Sequence, residues 1–195
     1  INNTGLRVQP VLAWGRLHRL ETVPSMANRT GALACINGSY FNRSSGSPFP
    51  VGFLMINGRV IYFSHAYRSA FGITKEGVPL MGYPRTRGSI YLPENGKYFY
   101  LWGMNRDRKK NEAVVYTGEF GDTTKTKYAQ REIVVKNGVV QSIGTNNMAI
   151  PPDGFVISLH GDTMKYANWF KQGTPVKLYF VIEAEWLRVY NALTG

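Results

Sequence analysis

Apolar, β-branched and aromatic residues fall in short runs along this chain, and Gly, Asn or Pro closes most of them. Runs of that kind predict strands rather than helices. Residues 54–56 and 60–63 flank Asn57-Gly58, and residues 132–136 and 139–143 flank Asn137-Gly138. Asn-Gly between two apolar runs predicts a two-residue hairpin, because these residues accept positive φ most readily. Further strands are expected at 6–14, 70–73, 89–92, 98–102, 113–116, 155–159 and 176–182.

Two segments carry helical spacing. Thr22 suits a cap, Pro24 suits the first turn, and Gly31 suits the stop. Val23, Met26 and Ala27 then share one face. A second helix is expected over 163–172, with Asp162 as cap, Gly173 as stop and Tyr166, Ala167 and Phe170 on its apolar face. The count predicts an α+β fold, mostly antiparallel β-sheet with a few short helices packed on it. One domain is expected across 1–195, with residues 84–150 read as an inserted β subdomain.

Composition narrows the picture. Apolar residues make up 44% of the 195 and aromatics 13%, enough for a core without disulfide staples. Cys35 is the only cysteine, which excludes an intrachain disulfide and a multi-cysteine metal site. It lies in the apolar run 32–36, where its thiol is expected to pack as a small hydrophobe. No run reaches the length of a membrane span. Lys plus Arg number 23 against 12 Asp plus Glu, a net charge of +11. Such an excess fits an acidic partner (nucleic acid, a membrane surface or a phosphate-bearing glycan) or simply a basic surface. The dense cluster Arg106-Asp107-Arg108-Lys109-Lys110 reads as a solvated turn. It lacks the interleaved aromatics of a single-strand nucleic-acid site.

The candidate chemistry sits at the ends of apolar runs. Asn37-Gly38-Ser39 follows the run 32–36, expected to be a buried strand. A turn there would face N–H groups and an amide toward a ligand, and an ordinary turn with Asn in left-handed backbone has the same sequence. Tyr40 and Phe41 could stack on a sugar or pack. Arg68 precedes the run 70–73, where a guanidinium can clamp phosphate or pair with a surface carboxylate. Glu21 precedes the first helix, as a cleft carboxylate or a partner of the helix dipole. No two carboxylates stand out as acid and nucleophile. His18, His65 and His160 match no helical metal motif, so no metal and no cofactor is expected. His160-Gly161-Asp162 joins a strand to a helix, a place that suits ligand contact or a structural imidazole.

The order of several motifs resembles a known family. Ser25-Met26-Ala27 is followed by Gly31-Ala32-Leu33-Ala34-Cys35-Ile36-Asn37-Gly38-Ser39-Tyr40-Phe41-Asn42. Pro50-Val51-Gly52-Phe53-Leu54-Met55-Ile56-Asn57-Gly58-Arg59 and Arg68-Ser69-Ala70-Phe71-Gly72-Ile73 come next. This series is similar to the opening of the phosphodiester glycosidase family, the uncovering-enzyme-like domains that remove N-acetylglucosamine from a mannose phosphate. Residues 8–80 carry the resemblance best, and 100–183 more loosely. Ser39 stands where a second Gly is usual. The family's later Arg-Thr-Ala-x-Gly segment and Leu-Asp-Gly-Gly-Gly-Ser turn do not occur in the 195 residues.

The resemblance implies the N-terminal half of a hydrolase of glycosyl-phosphodiester bonds, in cell-wall or exported polysaccharide metabolism. The alternative is a non-catalytic glycan- or phosphate-binding piece of the same fold. The resemblance implies Glu21, Asn37, Arg68 and His160 as catalytic residues and Gly38, Ser39, Tyr40 and Phe41 as substrate-binding residues. The implied partners are a carbohydrate or glycosyl-phosphate and a C-terminal fragment of the same protein, with no nucleic acid. The implied setting is extracytoplasmic or secreted.

Overall fold

The structure, a computed structural model, describes residues 5–40, 49–66, 68–127 and 130–195. Strand residues outnumber helical ones, 39% to 13%, so the fold is α+β with sheet dominant. The chain divides into two compact units, Ile1–Arg85 with Ile182–Gly195, and Thr86–Val181. The segment 84–150, expected as an insertion, begins near the start of the second unit, which runs on to Val181.

In the first unit, β1 (Phe53–Ile56) and β2 (Arg59–Ser64) form the expected hairpin, with Asn57 at φ 54° and Gly58 at φ 75°. β3 (Ala70–Thr74) pairs with β4 (Pro79–Gly82) and with β13 (Val189–Thr194), and β13 pairs with β1, all antiparallel. The order is β2-β1-β13-β3-β4. Pro79 opens the outer strand β4, where its missing N–H costs no ladder bond. Phe53, Leu54, Phe63, Ile73, Trp186 and Val189 are buried. Gly72 makes room for that indole, since a Cβ there would lie 2.8 Å from Trp186 Cζ3.

α1 (Val23–Thr30) forms as its caps dictate. Thr22 Oγ1 accepts from Ser25 N at 3.4 Å, and Gly31 ends the helix at φ 64°. Val23, Met26 and Ala27 are only half-buried. Two expected strands do not form. Residues 6–14 hold no strand and finish in the 3-10 turn Ala13–Gly15, with Trp14 at φ 51°. Residues 32–36 have no regular structure, and Leu33 and Ile36 are 88% and 87% exposed. Cys35 is half-buried.

In the second unit, β8 (Ala113–Tyr116), β9 (Arg131–Lys136), β10 (Val139–Gly144) and β11 (Gly154–Leu159) pair antiparallel. β7 (Gly103–Met104) adds in parallel, giving the order β10-β9-β11-β8-β7. Asn137 at φ 51° and Gly138 at φ 76° close the β9–β10 hairpin as expected. A three-stranded sheet runs β12 (Lys177–Ile182), β5 (Thr86–Leu92), β6 (Lys97–Tyr100). The expected α-helix over 163–172 is a 3-10 helix, Gly161–Trp169, led in by His160 rather than by Asp162. Its i, i+3 pair Tyr166 and Trp169 meet edge to face at 4.9 Å, and Tyr166 stacks on Phe99 at 4.4 Å. Three residues per turn bring such pairs onto one line.

Candidate functional site

In the first unit, α1 and the turn before it build a carboxylate clamp. Arg29, in the last turn of α1, donates Nε to Glu21 Oε1 at 3.0 Å and Nη2 to Oε2 at 2.7 Å. Ser25 Oγ donates to Oε1 at 2.9 Å, and Trp14 N donates to Oε2 at 3.1 Å. The guanidinium also lies 5.4 Å from the centre of the Trp14 ring. The Glu21 side chain is 1% exposed. The Arg29 bonds outweigh burial and hold its carboxyl down at about 2. Glu21 is therefore an anion near neutral pH and has no proton to give. The carboxylate that the sequence offers for a cleft is held here in a clamp that fixes the turn on the helix.

The segment from Asn37 to Tyr40 crosses the end of β13. A Cβ at Gly38 would touch Leu193 Cδ1 at 3.2 Å, and Val51 N donates to Tyr40 O at 3.1 Å. Thr194 Oγ1 in turn donates to Val51 O. Thr194 pairs with Ala70, and Gly195 N donates to Ser69 O at 3.3 Å. Arg68 is the next residue back and is exposed. Asn37, Gly38 and Tyr40 are exposed and Ser39 is half-buried, its hydroxyl donating to Tyr40 O at 2.8 Å. Asn37 does not take left-handed backbone. The structure thus brings Asn37–Tyr40 and Arg68 to one strand end, although no hydrogen bond joins Asn37 to Arg68 among the described residues. Phe41 lies outside the described residues. An amide and a guanidinium at a strand end can hold an anion.

His160 belongs to the second unit. Its backbone N donates to Glu112 O at 3.1 Å and Thr163 Oγ1 at 2.9 Å, while its buried Nδ1 has no hydrogen-bond partner among the described residues. Burial lowers the imidazole pKa below its ordinary value, and Arg108 and Lys110 push the same way. It is held neutral.

Beside it lies a buried polar chain that pattern reading missed. Glu132 is fully buried and accepts from Thr124 Oγ1 at 2.8 Å, Thr126 Oγ1 at 2.9 Å, Met148 N at 2.9 Å and Ser158 Oγ at 2.7 Å. Arg108 Nη1 donates to Ser158 Oγ at 2.7 Å and Leu159 O at 3.2 Å. Arg106 pairs with Glu112 at 2.8 Å and donates to Trp102 O at 2.7 Å. The basic cluster is thus only half a solvated turn. Lys109 and Lys110 are exposed, but Arg106 and Arg108 fold inward. One signal was available: Glu132 continues an apolar run, Ile133-Val134-Val135, on a strand covered on both faces.

Among the described residues no group of three or more His, Cys, Asp or Glu is placed to hold a metal ion. No helix of the described residues is long and apolar enough to cross a membrane.

No protein-family model matches the chain, and no curated protein matches it. Solved structures do. A hypothetical protein from Synechocystis is similar with a TM-score of 0.79 and 18% identity, over 93% of this chain and 35% of that one. A protein from Burkholderia pseudomallei K96243, named "Putative exported protein", is similar with a TM-score of 0.72 and 19% identity, over 93% of this chain and 45% of that one. The fold is therefore one that these proteins share, and the chain spans less than half the length of each.

Proposed function

We propose that this chain is part of a hydrolase that cleaves glycosyl-phosphodiester bonds, in the manner of the phosphodiester glycosidases, outside the cytoplasm. The observation that carries this reading is the convergence of Asn37–Tyr40 and Arg68 on the end of β13, with Asn37 and Arg68 both exposed. These are the segments in which the ordered motif resemblance is strongest. Arg68 would grip the phosphate in two parallel bonds, and the Asn37 amide would donate to a further oxygen. A phosphate leaves as a stable anion and needs little protonation, so the locked Glu21 is no obstacle. Tyr40 offers a ring to the sugar. The exported name of the Burkholderia protein agrees with work outside the cytoplasm.

The test is turnover of a methyl mannoside bearing N-acetylglucosamine 1-phosphate as its diester, followed by release of the free sugar. Arg68→Ala and Asn37→Ala should each lose about 100-fold or more while leaving the melting temperature unchanged, since both side chains are exposed. Undiminished turnover in both variants would sink the reading. The Glu21 clamp favours a second one, a glycan- or phosphate-binding module. Calorimetric binding of the same diester without release of sugar, lost in Arg68→Ala, would select it.

A further inference from the structure

The three-stranded sheet of the second unit has one face packed and one open. Ile90 and Leu92 of β5 and Phe99 of β6 are buried. The alternate positions face solvent. Tyr98 and Tyr100 of β6 are 57% and 45% exposed, and Tyr179 of β12 is 46% exposed. Tyr91 of β5 stands opposite Tyr98 in the register, and its ring meets that of Tyr179 at 5.9 Å. Tyr98 and Tyr100 meet edge to face at 5.6 Å. Arg87 shares the face and lies 4.8 Å from the centre of the Tyr100 ring. Lys177, two residues before Tyr179, is exposed as well. The three strands contain no Asp or Glu.

Two touching pairs of tyrosine rings on one sheet face, three of the four rings exposed, are a binding platform rather than scattered surface residues. Tyrosine combines an apolar ring face with a hydroxyl, which suits a ligand that is apolar on its faces and polar at its edges. The cations, and the absence of any carboxylate in these strands, select a ligand with negative charge. The ratio of rings to cations selects further. A nucleic-acid strand carries one phosphate for every base, so its grooves match stacked rings with a dense track of Lys and Arg. Here four tyrosines share two cations, and one of the two is already seated on a ring. That balance fits a chain with one acid for about two stacking units.

From this we infer that the β5–β6–β12 face binds an acidic polysaccharide whose repeat holds one anionic and one neutral sugar. The sugars lie over Tyr91, Tyr98, Tyr100 and Tyr179, and the acid groups meet Arg87 and Lys177. The site is a platform for the polymer and stands without the hydrolytic reading of the first unit.

The experiment is calorimetric titration of the chain with a hyaluronate octasaccharide, which alternates neutral and acidic sugars, beside cello-octaose and a thymidine decanucleotide. Binding to hyaluronate should fall at least tenfold in the double variant Tyr98→Ala/Tyr100→Ala and weaken with salt. Arg87→Met should lose both affinity and salt dependence. The exposed tyrosines should leave the melting temperature of the double variant close to the parent's, which separates lost binding from lost folding. Equal affinity for cello-octaose, tighter tyrosine-dependent binding of the decanucleotide, or hyaluronate binding indifferent to both tyrosines would each overturn the inference. So would a failure to bind hyaluronate at all, whatever the diester assay returns.

Discussion

Ser158 donates its hydroxyl to the Glu132 carboxylate at 2.7 Å, and neither residue keeps any contact with water. The same hydroxyl accepts from Arg108 at 2.7 Å. A buried carboxylate is tolerated when its lone pairs are all used and a cation stands close. Four donors and a guanidinium one hydroxyl away meet that condition.

Glu132→Gln should cost little, about 1–2 kcal/mol. The Gln oxygen can keep Met148 N and Thr124, and its NH2 can face Thr126 and Ser158, whose hydroxyls rotate to accept. Glu132→Leu has no such escape. Both variants remove the charge near Arg108, but Leu also leaves Met148 N and the hydroxyls of Thr124, Thr126 and Ser158 without their buried partner, so it should cost about 3–5 kcal/mol. Urea denaturation of the two variants measures the difference. Equal losses would mean that the hydrogen bonds of this carboxylate do not matter to the second unit.

The Glu21 clamp gives the first unit a pH dependence with a definite sign. Its folded carboxyl is held at about 2 against an ordinary value of 4.5, chiefly by Arg29. The unfolded chain therefore binds the extra proton first as pH falls. Stability from the clamp is whole above about 4.5 and drains away toward about 2. Arg29→Met should raise the Glu21 midpoint toward 4.5 in an NMR titration and flatten this part of the acid-unfolding curve. A midpoint that stays near 2 would assign the shift to Ser25 and Trp14 instead.

What could be read from sequence was what neighbours along the chain decide. Asn57-Gly58 and Asn137-Gly138 set their hairpins because positive φ is a local demand. Thr22, Pro24 and Gly31 set α1 for similar local reasons. Tertiary choices stayed hidden. Arg108 looked solvated because Ser158 lies fifty residues away. β13 was missed because Asn191 and Thr194 break its apolar pattern. Both are buried there: Asn191 Oδ1 accepts from Asn57 N at 2.9 Å, and Thr194 Oγ1 accepts from Phe53 N at 3.1 Å. Of the candidate site, Asn37 and Arg68 were legible as sequence positions. The meeting of their two segments at the end of β13 was not, because β13 itself supplies it.

The run 32–36 is apolar in sequence yet open to water in the structure. Leu33→Ser and Ile36→Ser should therefore each change stability by no more than about 0.5 kcal/mol, as for ordinary exposed positions. Thermal melts of the isolated chain test this. A loss of about 2 kcal/mol or more, the cost of emptying a packed site, would show that these side chains are covered in solution.

Gly161 offers the sharpest test of the His160 corner. It sits at φ 58°, and a Cβ there would collide with Asn111 Oδ1. That oxygen accepts from Asp162 N at 3.2 Å and so ties the Asn111 loop to the start of the 3-10 helix. Gly161→Ala must strain the backbone and expel the Asn111 amide together. Gly173 provides the control, because its φ is 87° and a Cβ there meets nothing within 4 Å. Gly173→Ala should show the backbone cost alone, about 1 kcal/mol. Gly161→Ala should add the lost tie and the displaced amide, for about 2–4 kcal/mol in all. Chemical denaturation of both variants separates the two contributions. If they prove equal, the Asn111 side chain moves aside freely, and the helix start does not depend on it.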